Sequence, residues 1–320
     1  MAIERFEYQP VGAQIVSGPG TSGSQLVDEL VQLGAARVLV VASEREVRRV
    51  VAPLEELGRI VASVFSEVRE HVPQTAAEAA RQAATDAEAD TLLAVGGGSA
   101  VGTAKAVALT TGLRSSPCPR HAIPTTFSGS GVTAVWGLTD ERGKRTGMDP
   151  RVPPCTVVYD PELAASLSAD MAVVSAFNAL AHGVEALWAL WTLWTLGRNP
   201  ASGISALATG LRTNDRAAKM RGGWLAASAI AVTGSGLHHK LCRVSCGTVG
   251  LPHAPTHAIV LPHVAAFTRS QMPGLPGASH TPPARSTPST AGGSWPKWWA
   301  RRWPCGRWGC ATSRSGRSSR

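Results

Sequence analysis

Thr91-Leu92-Leu93-Ala94-Val95-Gly96-Gly97-Gly98-Ser99 is the stretch on which the fold turns. A short apolar run ends in a glycine cluster, and an alanine-rich segment carrying Gly102 and Lys105 follows over residues 100–111. An apolar run closed by glycine reads as a buried strand, and the alanine-rich segment as a helix. Glycines at such a junction let the main chain approach a ligand closely, and the amides at a helix start attract a phosphate. Gly96, Gly97, Gly98 and Ser99 are therefore candidates for holding a dinucleotide pyrophosphate, although the same residues also suit a plain tight turn. A second loop, Ile123-Pro124-Thr125-Thr126-Phe127-Ser128-Gly129-Ser130-Gly131, supplies small residues and hydroxyls. It makes Thr125 and Thr126 candidates for the diphosphate or nicotinamide end of the same cofactor.

Outward from this junction the pattern alternates. Residues 37–42 form a β-rich apolar run ending at Ser43, residues 20–33 and 76–90 read as helices, and residues 91–95 as the next strand. Strand, helix, strand in this order predicts a parallel α/β sheet. Ser43 stands where an acid would bind ribose hydroxyls and repel a 2′-phosphate, so it leaves both NADH and NADPH admissible. From about residue 161 the pattern becomes helical, with Val173, Phe177, Leu180, Val184 and Leu187 at helical spacing. The run over residues 177–196 is apolar enough to mimic a membrane span, but His182 and Glu185 within it favour a buried helix. No leader pattern opens the chain, and six cysteines without a CxxC pair fit a reducing compartment. The expectation is a cytoplasmic protein with no membrane partner.

The net charge of +9 is unevenly placed. All 22 acidic residues lie before residue 216, whereas 14 of the 31 basic residues lie from residue 216 onward, which is unusual for a folded surface. Residues 268–320 are rich in Pro, Ser, Gly, Arg and Trp and have no helical or strand period. A basic, aromatic tail suits nucleic acid. The same composition is what a GC-rich gene yields in the wrong reading frame, and nucleic-acid binding is not the expected role.

Asn178, His182 and Glu185 project from one face of an apolar helix. His238, His239, His253, His257 and His263 follow within a short stretch. Histidine serves as metal ligand or as proton donor near neutral pH, and spacing does not choose between the two.

Here a resemblance becomes specific. Gly96-Gly97-Gly98-Ser99 with Gly102, Ala104 and Lys105 is similar to the nucleotide loop of the iron-containing alcohol dehydrogenase superfamily, and Pro124-Thr125-Thr126 to its second cofactor loop. Asn178-Ala-Leu-Ala-His182, His239 and Pro252-His253 resemble its metal motif and later metal histidines. Val135-Trp136-Gly137-Leu138-Thr139, Tyr159-Asp160-Pro161-Glu162-Leu163, Phe177 to His182, and Gly236-Leu237-His238-His239-Lys240 resemble the maleylacetate reductases within it. The resemblance runs from Phe6 to about Phe267. It departs at Asn178, where the superfamily has a metal-binding aspartate. It departs again at Arg243, where a second histidine stands, and at Gly131, where an acid is usual. Residues 190–200 and those after about 267 do not match, as reading-frame disturbances would produce.

The resemblance implies an α/β nucleotide-binding domain over residues 1–160, a helical catalytic domain over 161–267, incomplete at its end, and an aberrant tail over 268–320. This is the dehydroquinate synthase-like fold of the iron-type alcohol dehydrogenases. The implied reaction is NAD(P)H-dependent reduction of maleylacetate to 3-oxoadipate in the breakdown of aromatic and chloroaromatic compounds. Alternatives are a metal-dependent alcohol dehydrogenase and a non-catalytic product with a basic tail. His182, His239 and His253 are the candidate catalytic residues, and Lys144 joins Ser43, the glycine loop, Thr125 and Thr126 as a cofactor contact. Lys240 or Arg243 would pair with a carboxylate of a dicarboxylate substrate. Because Asn178 is neutral, the expectation is activity without metal. A homodimer is compatible with the pattern.

Overall fold

The computed structural model describes residues 12–32, 34–50, 55, 57–110, 120–189 and 200–271. Residues 190–199, the second stretch flagged as mismatched, and those after 271 lie outside the described residues. The apolar run at the centre of the reading is a strand, β4 (Thr91–Gly96), buried at every position. It feeds an alanine-rich helix that begins at Gly98 and ends at Thr110. Together with β1 (Gln14–Ser17), β2 (Val38–Ala42), β3 (Val61–Phe65), β5 (Arg120–Pro124) and β8 (Thr156–Tyr159), β4 builds a six-stranded sheet in the order β1-β8-β5-β4-β2-β3. Every pairing in it is parallel. A parallel sheet buried on both faces needs near-continuous apolar strands, and β2, Val-Leu-Val-Val-Ala, is one.

Numbered in chain order, the helices are α1 (Ser24–Gln32), α2 (Glu44–Val47), α3 (Gln74–Asp86), α4 (Gly98–Thr110), α5 (Ala169–Trp188), α6 (Pro200–Thr213), α7 (Arg216–Thr233), α8 (Leu237–Val249) and α9 (His253–Gln271). The strands and helices read from the sequence near residues 20–33, 37–42, 76–90, 91–95 and 100–111 all occur, each shifted by a few residues. The reading missed β1, β3 and β8, and it took the loop at Ile123 and Pro124 for irregular chain although both residues end β5. It also missed the antiparallel hairpin of β6 (Val135–Asp140) and β7 (Gly143–Met148). These segments are short or half exposed and leave no long apolar run.

From α5 onward the described chain is helical. The segment read as a membrane mimic is α5, long and apolar enough to cross a membrane by composition. It buries Asn178, Gly183, Glu185 and Ala186 against protein. Helix α7 packs on it and on α6 through glycines: a Cβ on Gly222 would lie 2.7 Å from Leu207, and one on Gly203 2.8 Å from the Ala226 nitrogen. Helix α9 continues to Gln271, past residue 267, where the resemblance was expected to end.

Candidate active site

The turn after β4 has the geometry a phosphate needs. Gly96 sits at φ +143°, where side chains are disfavoured, and the amides of the first turn of α4 are left without helical partners. The second loop closes over it. The Thr125 amide donates to the Gly96 carbonyl at 3.0 Å, and a Cβ on Gly97 would lie 3.0 Å from Thr126 Cγ2. Gly98 faces Ser128 in the same way. The loop is held from behind by the helices, since the Phe127 amide donates to Ser175 Oγ at 3.0 Å.

The second loop also reaches the histidines. A Cβ on Gly129 would meet His182 Cε1 at 2.8 Å, so only glycine allows this approach. His182 of α5 stacks on His239 of α8, with ring centroids 4.8 Å apart and planes 16° from parallel. His239 meets His238 and His257 at 5.1 and 4.8 Å, and His253 meets His257 at 4.4 Å. The three expected catalytic histidines therefore belong to one cluster, to which the fold adds His238 and His257. His263 is exposed and takes no part in these ring contacts.

Glu185 orients the cluster. One turn after His182, its buried carboxylate accepts hydrogen bonds from His239 Nδ1 and from the amides of Gly236 and His239 at the start of α8. Burial alone would raise the carboxyl pKa, but the His239 bond and charge and these amides outweigh it and hold it below its ordinary value. With Nδ1 committed as donor, His239 turns Nε2 inward, where it has no partner. His182 Nδ1, His257 Nδ1 and Asn178 Oδ1 are also buried without partners. Burial and the surrounding histidines hold His182 and His257 well below the ordinary imidazole pKa. Burial, with the Lys144 charge and the neighbouring histidines, pushes the His253 pKa down to about 3.

The hairpin brings a cation, Lys144, close to His253 of the cluster. Lys144 of β7 packs against α8, where a Cβ on Gly247 would lie 3.1 Å from its Cβ. Arg243, one turn earlier on α8, lowers the Lys144 pKa together with burial, the larger cause. Opposite them stands His71, a residue the sequence reading did not single out, with its ring 6.4 Å from His253. The loop holding it takes φ +62° at His71 and +52° at Val72, a costly conformation for a β-branched residue. Thr139 holds this loop to the hairpin, its hydroxyl and amide donating to the carbonyls of His71 and Val72 at 2.7 and 3.0 Å. Among the described residues neither Lys144 nor Arg243 makes an ion pair. Lys240 is exposed on α8. Lys105, quoted with the glycine loop, is buried and donates to the carbonyls of Thr133 and Val135, so it braces the entry to β6.

The profile of the iron-containing alcohol dehydrogenase family matches residues 12–161, and that of the family's C-terminal region residues 172–275. The chain belongs to the iron-containing alcohol dehydrogenase family. Among its relatives in that family, maleylacetate reductase 2 of Cupriavidus pinatubonensis is 40% identical over 274 residues, 81% of this chain and 73% of the relative. A maleylacetate reductase of Sphingobium indicum is 38% identical over 84% of this chain and 77% of its own length. The crystal structure of maleylacetate reductase from Agrobacterium tumefaciens superposes with a TM-score of 0.77 at 34% identity, covering 85% of this chain and 78% of that one. The family's members are NAD(P)H-dependent oxidoreductases.

Proposed function

We propose that this chain reduces maleylacetate to 3-oxoadipate with NADH or NADPH. The observation that carries the reading is the pair of cations without carboxylate ion pairs among the described residues, Lys144 and Arg243, close with His71 to a histidine cluster that touches the second loop. Converging like charges are unfavourable alone and favourable around an anion, and a dicarboxylate supplies one. The Lys240 alternative loses support because that side chain points outward. Lys144 thereby serves the substrate rather than only the cofactor.

NADH or NADPH, held at the Gly96 turn and the second loop, would supply a hydride to the alkene carbon β to the ketone, and the alkene electron pair would move onto the carbonyl oxygen as an enolate. A proton delivered to the α carbon completes the reduction. His182, His239 and His253 are the candidates to deliver it, with the His239 ring held at Nδ1 by Glu185. The Lys144 and Arg243 charges hold the substrate and stabilise the negative charge that develops.

The expectation of activity without metal finds no support in the donor set. His182 Nδ1, His239 Nε2, His257 Nδ1 and Asn178 Oδ1 are buried without hydrogen-bond partners among the described residues, and single nitrogens of His238, His239 and His257 lie within 4.8 Å of one another. These residues fit a divalent ion, which would supply a Lewis acid for the enolate oxygen. The neutral Asn178 in place of a carboxylate weakens the hold. Elemental analysis and isothermal titration with iron(II) or zinc, followed by the maleylacetate assay before and after chelation, test both readings. Turnover with maleylacetate but not with short alcohols supports the substrate assignment, and the reverse overturns it. Full activity in protein shown to be metal-free would leave the histidines proton transfer alone. A reducing, cytoplasmic setting suits the free Cys155, Cys242 and Cys246.

A further inference from the structure

Ser43 left the choice between NADH and NADPH open in the sequence, and the fold brings an acid to the place where that choice is made. β2 lies beside β4, with Ala42 opposite Val95, so the residues after β2 stand next to the Gly96 turn. In parallel α/β sheets the dinucleotide lies across the carboxyl ends of the strands, with the adenosine ribose over the strand next to the glycine turn. Glu46, in the single turn of α2, points into this place. Its Cγ lies 3.8 Å from where a Cβ on Gly96 would be, and its side chain is 12% exposed. Oε1 pairs with Arg49 Nη1 at 3.1 Å, whereas Oε2 is buried with no hydrogen-bond partner among the described residues.

A buried carboxylate oxygen without a donor is costly, and such an atom beside a binding turn marks the place of a missing donor. We propose that Glu46 Oε2 accepts hydrogen bonds from the adenosine ribose hydroxyls and makes the site selective for NADH over NADPH. The inference rests on the dinucleotide reading of the Gly96 turn. A ribose diol supplies the donors Oε2 lacks. A 2′-phosphate removes a donor and sets negative charge against the carboxylate. Arg49 would attract that phosphate only by giving up Glu46.

Fluorescence titration of the purified protein with NADH and with NADPH reads this directly, without turnover. NADH is expected to bind at least about tenfold more tightly, and Glu46→Gln to narrow the ratio by about tenfold, mainly by gaining NADPH affinity. Arg49→Met, which removes the ion pair and keeps Oε2, should retain the preference. Equal affinities in the parent protein, a ratio unchanged by Glu46→Gln, or a preference lost in Arg49→Met instead would overturn the proposal and leave the turn as the cofactor site. If neither nucleotide binds the parent protein, the turn is not the cofactor site and the proposal falls with it.

Discussion

At the scale of single residues, two buried groups have consequences that solution measurements can read. Glu185 holds the His239 ring by Nδ1, and its exchange for glutamine keeps the shape but removes the charge and lets the amide flip. Glu185→Gln should lower kcat by about 10–100-fold while the NADH dissociation constant stays within about twofold. Unchanged turnover in a folded variant would make the carboxylate a helix anchor only. His121 on β5 is buried, both ring nitrogens lack partners, and burial pushes its pKa down to about 4. In the unfolded chain the ring titrates near its ordinary value, about 6.5. Between the two values the unfolded chain binds a proton that the fold refuses, so this contribution is complete above pH ~6.5 and is lost on acidification toward pH ~4. The other buried histidines act in the same direction, so a difference between variants isolates this one. Urea denaturation at pH 7 and pH 4.5 should show the parent losing on the order of 2 kcal/mol more than His121→Leu. Equal losses would mean that the ring is charged or solvated in the folded state.

At the scale of elements, glycine decides how closely segments meet. α6 and α7 touch backbone to side chain at Gly203, Leu207 and Gly222. A methyl on Gly222 would press on the Leu207 nitrogen and the Gly203 carbonyl, atoms that move only if the helices part. Gly222→Ala is expected to cost about 1–3 kcal/mol and to lower Tm by several degrees in a thermal melt. An unchanged Tm would show that the pair relaxes freely. The same logic links the glycine turn to the histidines, through Gly97 against Thr126 and Gly129 against His182. The hairpin and the His71 loop are joined without a motif of their own. Their pairing through Thr139 brings Lys144 and His71 close to the same histidine, His253.

At the scale of the molecule, the described helical part leaves apolar surface uncovered. Leu237, Leu241 and Val244 recur at helical spacing on α8 with exposures of 43%, 44% and 63%, and Phe267 on α9 is 57% exposed. Contiguous exposed apolar side chains favour self-association. Replacing Leu241 with lysine and Val244 with glutamate should change Tm by less than about 2 °C and reduce light scattering at high protein concentration. Scattering that does not fall would place the association elsewhere.

How much of this was legible in the sequence follows from the range of the interactions. The strand, glycine turn and helix around Gly96 were readable because period, glycine and helix start lie within one contiguous stretch. The histidines could be named as a group because they are close along the chain, and α5 showed its polar face by helical spacing. The short strands and the hairpin were not readable, since a few half-exposed residues carry too little pattern. Neither was Glu185 as the partner of His239, His71 beside His253, or Glu46 beside Gly96. Those pairs come from segments far apart or from neighbouring strands, and no spacing records them. Only strand order and helix packing bring them together, because a buried charge or an unpartnered nitrogen gains its meaning from what the tertiary structure sets against it.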